Sequence, residues 1–235
     1  MVHFPQSGHG MLARSPRLNR HAVLDAALAT IDKAGLPGLT IRTLAHELGV
    51  PPMTLYSHFK TKSELLDLAF ERLLQRLVPP EHGSTWQGEV EDVCRHMRRE
   101  LLEHPHWIAL LTRVAVPPLV LDVYDRLLGL MGKDGFRPEA AMFAFSSAMS
   151  LALGSVLVER MMDGPHPIPV QRLALVKGML VEMPRRRYPR IAAAAPKFDR
   201  WSFDNVFELG LHSLIAGLAE RCARQKGDGK RRRLA

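Results

Sequence analysis

Apolar positions along this chain recur at intervals of three and four, the period of helices that pack on one side. Val23, Ala26, Ala27, Thr30 and Ile31 make such a stripe over Leu18–Ala34, and Gly35 stops it. Leu44, Ala45, Leu48, Val50, Leu55 and Phe59 then fit the facing sides of two short crossing helices, with Ala45 small enough for a close approach. Thr40 is placed as the N-cap of the first of these. Gly49 suits the left-handed turn that ends it. Pro51 and Pro52 suit the opening of the second, about Pro52 to His58, where a missing N–H costs nothing. Thr61 and Glu64 read as a capping box for a fourth helix that buries Leu65, Leu66, Ala69, Leu73 and Leu77 and closes near Val78 at Pro79-Pro80.

The same period continues downstream. It predicts a helix over Trp86–Glu103, a short segment Trp107–Val114 ended by Pro117-Pro118, and a helix Leu119–Met131 stopped by Gly132 and Gly135. A long helix from Glu139 to Met162 is apolar nearly all round, so it is expected at the centre of the body. Ser146, Ser147, Ser150, Ser155, Glu159 and Arg160 argue against its crossing a membrane. Val170 to about Arg187 is expected as a helix kinked at Pro184, and 185–196 as a loop. The last helix, Phe203 to about Arg224, puts Phe203, Phe207, Gly210, Leu214, Gly217 and Leu218 on one face, where the glycines would admit another helix closely. No strand pattern appears, so the fold class is all-α.

Composition adds little until it is divided along the chain. Of 235 residues, 46% are hydrophobic and 24% charged, ordinary for a soluble protein with an ample core. Cys94 and Cys222 are too few and too far apart for a disulfide framework, and the first residues lack the order of a signal peptide, so a cytoplasmic location is expected. The net charge of +8 is uneven: residues 1–62 hold seven Lys/Arg against three Asp/Glu, and residues 221–235 hold seven against one. The middle therefore carries 18 basic and 20 acidic groups. Basicity confined to the ends points to local contact with a polyanion.

The short second helix of the crossing pair cannot be stable alone, so its neighbours hold it and its outer face is free. Thr54, Tyr56, Ser57 and His58 lie on it, with Lys60 and Lys62 following: a propped, polar-faced helix flanked by lysines suits the major groove of DNA. The run IRTLAHELGVPPMTLYSHFKTKSELL, residues 41–66, resembles the DNA-binding domain of the tetracycline-repressor (TetR) family, and FELGLHSLIAGLAERC, residues 207–222, resembles the C-terminal segment of such proteins. The resemblance implies DNA contacts from Thr40, Arg42, Pro52, Met53, Thr54, Tyr56, Ser57, His58 and Lys62. Met53 and Ser57 would help to set base preference, while Tyr56 and His58 would position the helix on phosphates. It also implies a homodimer through the last two long helices.

The family's tetracycline-binding members hold a magnesium-chelated drug with a histidine and a glutamate. By the LGSVL register the glutamate position is Val158 here, with Glu159 adjacent, and the histidine region falls near Leu111 and Thr112. The resemblance therefore covers the architecture but not those ligands, and tetracycline is not the expected effector. Trp107, Phe143, Phe145, Met149 and Met162 are candidates to line an apolar pocket, with Arg113, Ser146 or Ser150 orienting a bound molecule; each apolar one is also an ordinary core residue. Catalytic motifs are missing, with no phosphate loop, HExxH, CxxC or GxSxG. Glu103, His104 and His106 are the only metal-like cluster, and nothing completes a zinc shell. No catalytic residue, metal or cofactor is assigned.

The expectation is a disordered basic arm over 1–17, which either tracks phosphates or is inert. A helix-turn-helix domain over 18–62 and a helical ligand-binding and dimerisation domain over 63–224 follow, then a disordered basic tail over 225–235. Together they would make a homodimeric, cytoplasmic transcriptional repressor that binds double-stranded operator DNA and is released by a small apolar effector, with no membrane contact. The alternative is a helical small-molecule-binding protein or enzyme whose N-terminal domain contacts another protein.

Overall fold

Asn19 opens the first helix by accepting a hydrogen bond from the Ala22 amide at 2.8 Å. A computed structural model describes residues 18–79, 83–113, 117–163, 175, 178–180, 182–196 and 202–232, the side chains of 162, 163 and 225–232 excepted. Helix α1, Arg20–Gly38, turns off at Gly35, whose φ of 68° is costly for any residue with a Cβ. α2, Ile41–Leu48, is capped by Thr40, and Thr43 returns the bond: each threonine oxygen accepts from the other's amide, at 3.0 and 2.9 Å. Gly49 ends α2 in the left-handed region, at φ 64°. α3 is a single turn, Pro52–Leu55, continued by hydrogen-bonded turns to Phe59, so it is shorter than its expected span to His58. α4, Lys62–Leu77, starts at Thr61, which accepts from the Glu64 amide at 3.1 Å. The Glu64 carboxylate reaches the Lys60 amide, so the expected capping box closes one residue early.

These helices meet in one apolar cluster: Val23, Ala27 and Ile31 of α1, Leu44 and Ala45 of α2, Leu55 and Phe59, and Leu65, Ala69 and Leu73 of α4. Removing one such leucine side chain typically costs about 2–5 kcal/mol, which is how a single-turn helix is held in place. The cluster extends past the expected domain limit to Leu101, Trp107, Leu110 and Val156. Head and body therefore share a core.

The body comprises α5 (Trp86–Glu103), a 3₁₀ segment (Pro105–Thr112), α6 (Pro118–Lys133), α7 (Pro138–Asp163), α8 (Pro189–Ala194) and α9 (Phe203–Arg232). Contrary to expectation, α7 is not enclosed. α5, α6 and α9 pack on it, but Phe143, Leu157, Val158 and Met161 stay exposed, at 74%, 41%, 50% and 78%. By length and apolarity alone α7 could cross a bilayer, but α5, α6 and α9 already lie against it. α8 forms where a loop was expected, with Pro189 at its first position and alanines after it. α9 continues into the segment expected to be a disordered tail. The expected face of α9 also divides. Phe207, Leu211 and Ile215 turn inward, and a Cβ on Gly210 would stand 3.3 Å from Leu151, so this glycine serves packing within the chain. No described residue lies within 4 Å of where a Cβ on Gly217 would stand. The N-terminal arm, residues 170–174, 176, 177 and 181 of the expected helix over 170–187, and the last three residues lie outside the described residues.

Candidate nucleic-acid interface and effector cavity

Leu55 is fully buried and Phe59 nearly so, which anchors α3 from behind and turns its other residues to solvent. Met53 is 76% exposed and Tyr56 45%. Pro52, Thr54 and Ser57 are exposed as well, and His58 is half-buried. Thr40 and Arg42 stand exposed at the start of α2, and Lys62 at the start of α4. Helix N-termini and cations together favour phosphate. The Ser57 hydroxyl donates to the Thr54 carbonyl at 2.7 Å, which leaves its oxygen to accept from a base or a bridging water. Of the nearby carboxylates, Glu47 pairs with Lys33 at 3.4 Å and Glu64 is spent on the Lys60 amide. All nine residues expected to meet DNA thus lie on accessible positions of three adjoining elements.

A cavity of about 200 Å³ lies where α4, α5, the 3₁₀ segment, α6 and α7 converge. Its exposed lining is wholly apolar, with Leu74, Leu77, Met97, Leu111, Val123, Phe145 and Met149 among the contributors. Tyr124 offers ring carbons only: its hydroxyl pairs with that of Ser146 at 3.3 Å, and the ring meets Phe145 edge-on at 4.8 Å. Of the expected pocket residues, Phe145 and Met149 are in place. Met162 has its side chain outside those described. Phe143 is on the surface, and the Ser150 hydroxyl is exposed and bonded to the Ser146 carbonyl.

Two expectations are overturned. Trp107 is not part of this cavity's lining; it is 2% exposed, stacked on His104 at 3.9 Å, with its indole N–H donating to the Leu28 carbonyl of α1. A large ring with one donor is best satisfied between two elements, and here those are the head and the body. Arg113 is not part of the lining either, and its guanidinium donates to Asp67 of α4 at 2.7 Å and to Ser63. The cavity residues missed lie on the inner faces of α4, α5, the 3₁₀ segment and α6, which periodicity identifies only as buried.

The charges elsewhere hold the frame. Asp25 of α1 binds Arg72 of α4 at 2.8 and 3.0 Å, and that guanidinium holds its carboxyl below the usual 3.8. Arg95 joins α5 to Glu208 of α9 and likewise depresses the glutamate. Arg98, only 4% exposed, pairs with Glu159 at 2.6 Å and Asp204 at 2.9 Å. Burial pushes the Cys94 thiol up to about 12, so it is unreactive. Among the described residues no three His, Cys, Asp or Glu side chains are grouped to hold a metal ion. Val158, in register with the family's magnesium-holding glutamate, points to solvent, and neighbouring Glu159 is neutralised by Arg98. The described residues lining this cavity, all of them apolar apart from Tyr124, therefore offer no ligand set for a chelated metal.

Comparison with known proteins decides the family. Residues 23–69 match the model for bacterial regulatory proteins of the tetR family, and residues 79–222 the tetracyclin repressor-like C-terminal domain. The chain belongs to the TetR family. It is 33% identical over 204 residues to tetracycline repressor protein class D of Escherichia coli, covering 86% of this chain and 89% of that one. It is also 30% identical over 210 residues to an HTH-type transcriptional regulator of Saccharopolyspora erythraea, covering 87% and 86%. Its fold is similar to apo ActR of Streptomyces coelicolor, with TM-score 0.71, 27% identity and coverage of 90% and 100%. ActR in complex with actinorhodin gives 0.69, 28%, and coverage of 87% and 96%. This TetR-family chain is a DNA-binding transcriptional regulator with a helix-turn-helix head and a helical ligand-binding body.

Proposed function

We propose that this TetR-family regulator reads a palindromic operator as a homodimer, with Met53 and Thr54 of α3 and Ser57 of the turn that continues it in the major groove, and Thr40, Arg42, Pro52, Tyr56, His58 and Lys62 on the backbone around it. One observation carries this reading: α3 is a single turn propped by Leu55 and Phe59 whose remaining residues are spread open to solvent. A core element does not expose a methionine to 76% beside a tyrosine without something to meet them.

The dimer forms through the open faces of α7 and α9. Phe143, Ser147, Ser150, Leu157 and Met161 line one face of α7, and Val206, Leu209, Ala216 and Gly217 one face of α9, all exposed in the single chain. Two apolar stripes on adjacent helices with small residues between them suit close packing about a two-fold axis. The effector is a neutral, largely apolar molecule held in the cavity between α4 and α7. A charged or metal-chelated one would lose its water there without a partner, at a cost of several kcal/mol. The regulator is cytoplasmic and non-catalytic. The ligand-bound structures of its relatives support the same division of labour, since ActR is known in complex with actinorhodin.

Selection from a randomised duplex pool tests this directly. The expected result is enrichment of an inverted repeat whose half-sites are set by the two-fold axis. A pool without enrichment, or one enriched in a single half-site, would refute it.

A further inference from the structure

The end of α1 is held from outside its own domain. His106 Nδ1 lies 2.8 Å from the Asp32 carbonyl oxygen, and a carbonyl can only accept, so this nitrogen carries the proton. Asp32 is in the last turn before Gly35, where helix carbonyls lack an amide four residues on. His104, which follows α5, donates from Nδ1 to the Asp32 carboxylate at 2.9 Å. Its ring stacks on Trp107, whose indole N–H reaches the Leu28 carbonyl one turn earlier on α1. Three consecutive contacts therefore fasten the body to the C-terminal half of one helix of the reading head.

The same stretch reaches the cavity. Leu111, five residues after His106 in the 3₁₀ segment, forms part of its wall. A 3₁₀ helix has strained hydrogen bonds and is remodelled more readily than an α-helix. An occupant that displaces Leu111 thus shifts a segment whose other end grips α1.

We propose that His104 and His106 are the positioning residues that transmit cavity occupancy to α1, in addition to any movement carried by α4. This rests on the reading that a filled cavity releases DNA. Neither histidine lines the cavity or belongs to the residues assigned to DNA, so their loss should leave both sites intact and break only the coupling.

A cavity-filling substitution serves as a built-in occupant, and Val123→Phe, on the wall contributed by α6, is suitable. In the full-length dimer Val123→Phe is expected to weaken operator binding by about tenfold or more, within the usual range of coupling between sites. In a His106→Ala background the same substitution should weaken it less than about twofold, a departure from additivity that a double-mutant cycle reads directly. His106→Asn puts an amide nitrogen where Nδ1 sits and should restore the full loss. His106 is exposed, so its replacement spares the core. Asp32→Ala provides a second variant if helix content falls, and should also reduce coupling. Equal losses in wild-type and His106→Ala backgrounds, or no rescue by His106→Asn, would overturn the clamp. A wild-type background in which Val123→Phe leaves operator binding unchanged would overturn the release reading itself, and the clamp with it.

Discussion

Leu209→Asp is the substitution that most directly tests how two copies meet. Leu209 is 71% exposed on α9 of the single chain. Complete burial of a leucine contributes about 1.5–3 kcal/mol, so covering what remains exposed here is worth roughly 1–2 kcal/mol in each copy. Both copies lose it together at a two-fold interface, about 2–4 kcal/mol in all. At 1.4 kcal/mol per factor of ten, association weakens by roughly 30- to 1,000-fold. Two carboxylates brought close together in an apolar seam add to that penalty. Sedimentation velocity across a range of concentrations measures the dimer constant, and operator titration measures its consequence, because one head alone makes too few contacts. Leu121→Asp is the control: that leucine is 58% exposed too, but on α6, away from the proposed seam. Equal dimer constants for Leu209→Asp and wild type would refute the assignment of this face, as would equal damage from Leu121→Asp.

If each head neutralises three or four phosphates, operator affinity should fall by on the order of 10³ between 50 and 200 mM salt, and a flat salt titration would contradict backbone contact. Lys62→Ala should weaken all sequences alike and reduce the salt slope, whereas Met53→Ala should change preference at one half-site position in a binding-site selection. Phe145→Ala or Met149→Ala should blunt stabilisation by neutral lipophilic compounds in a thermal-shift screen while leaving operator affinity nearly unchanged; stabilisation only by magnesium-chelated tetracyclines would disprove the apolar cavity. The Asp25–Arg72 pair should show in acid. The folded-state carboxyl of Asp25 titrates below its usual 3.8, so its contribution is present above about pH 4 and is lost as pH falls through the lowered value. Asp25→Asn should therefore melt below wild type at pH 7, with the gap closing in acid, and a constant gap would show that the pair contributes nothing through charge.

The reading head was legible in the chain because its instructions are local. Thr40 caps a helix three residues away, Gly49 takes a left-handed turn that a side chain would resist, and Thr61 meets the amide of Glu64. Such bonds depend on neighbours in sequence, and the 3.6-residue period adds which side of each helix is buried. The faces of α3 that look outward follow from that period and from Leu55 and Phe59 looking in.

Where buried faces meet is a different matter. Trp107 is apolar and periodic like any core or pocket residue, and only the crossing of the 3₁₀ segment with α1 sets its indole against a carbonyl 79 residues earlier. Arg113 could have faced a ligand, but folding brings Asp67, 46 residues away, within reach of its guanidinium. The long α7 shows one continuous apolar composition, and the placement of α5, α6 and α9 decides which stripe stays bare. Gly210 and Gly217 are two turns apart on one helix, yet Leu151 packs against the first and no described residue against the second. Local rules state that a residue is to be covered; its covering partner is set by packing among segments distant in sequence, which no period along the chain encodes.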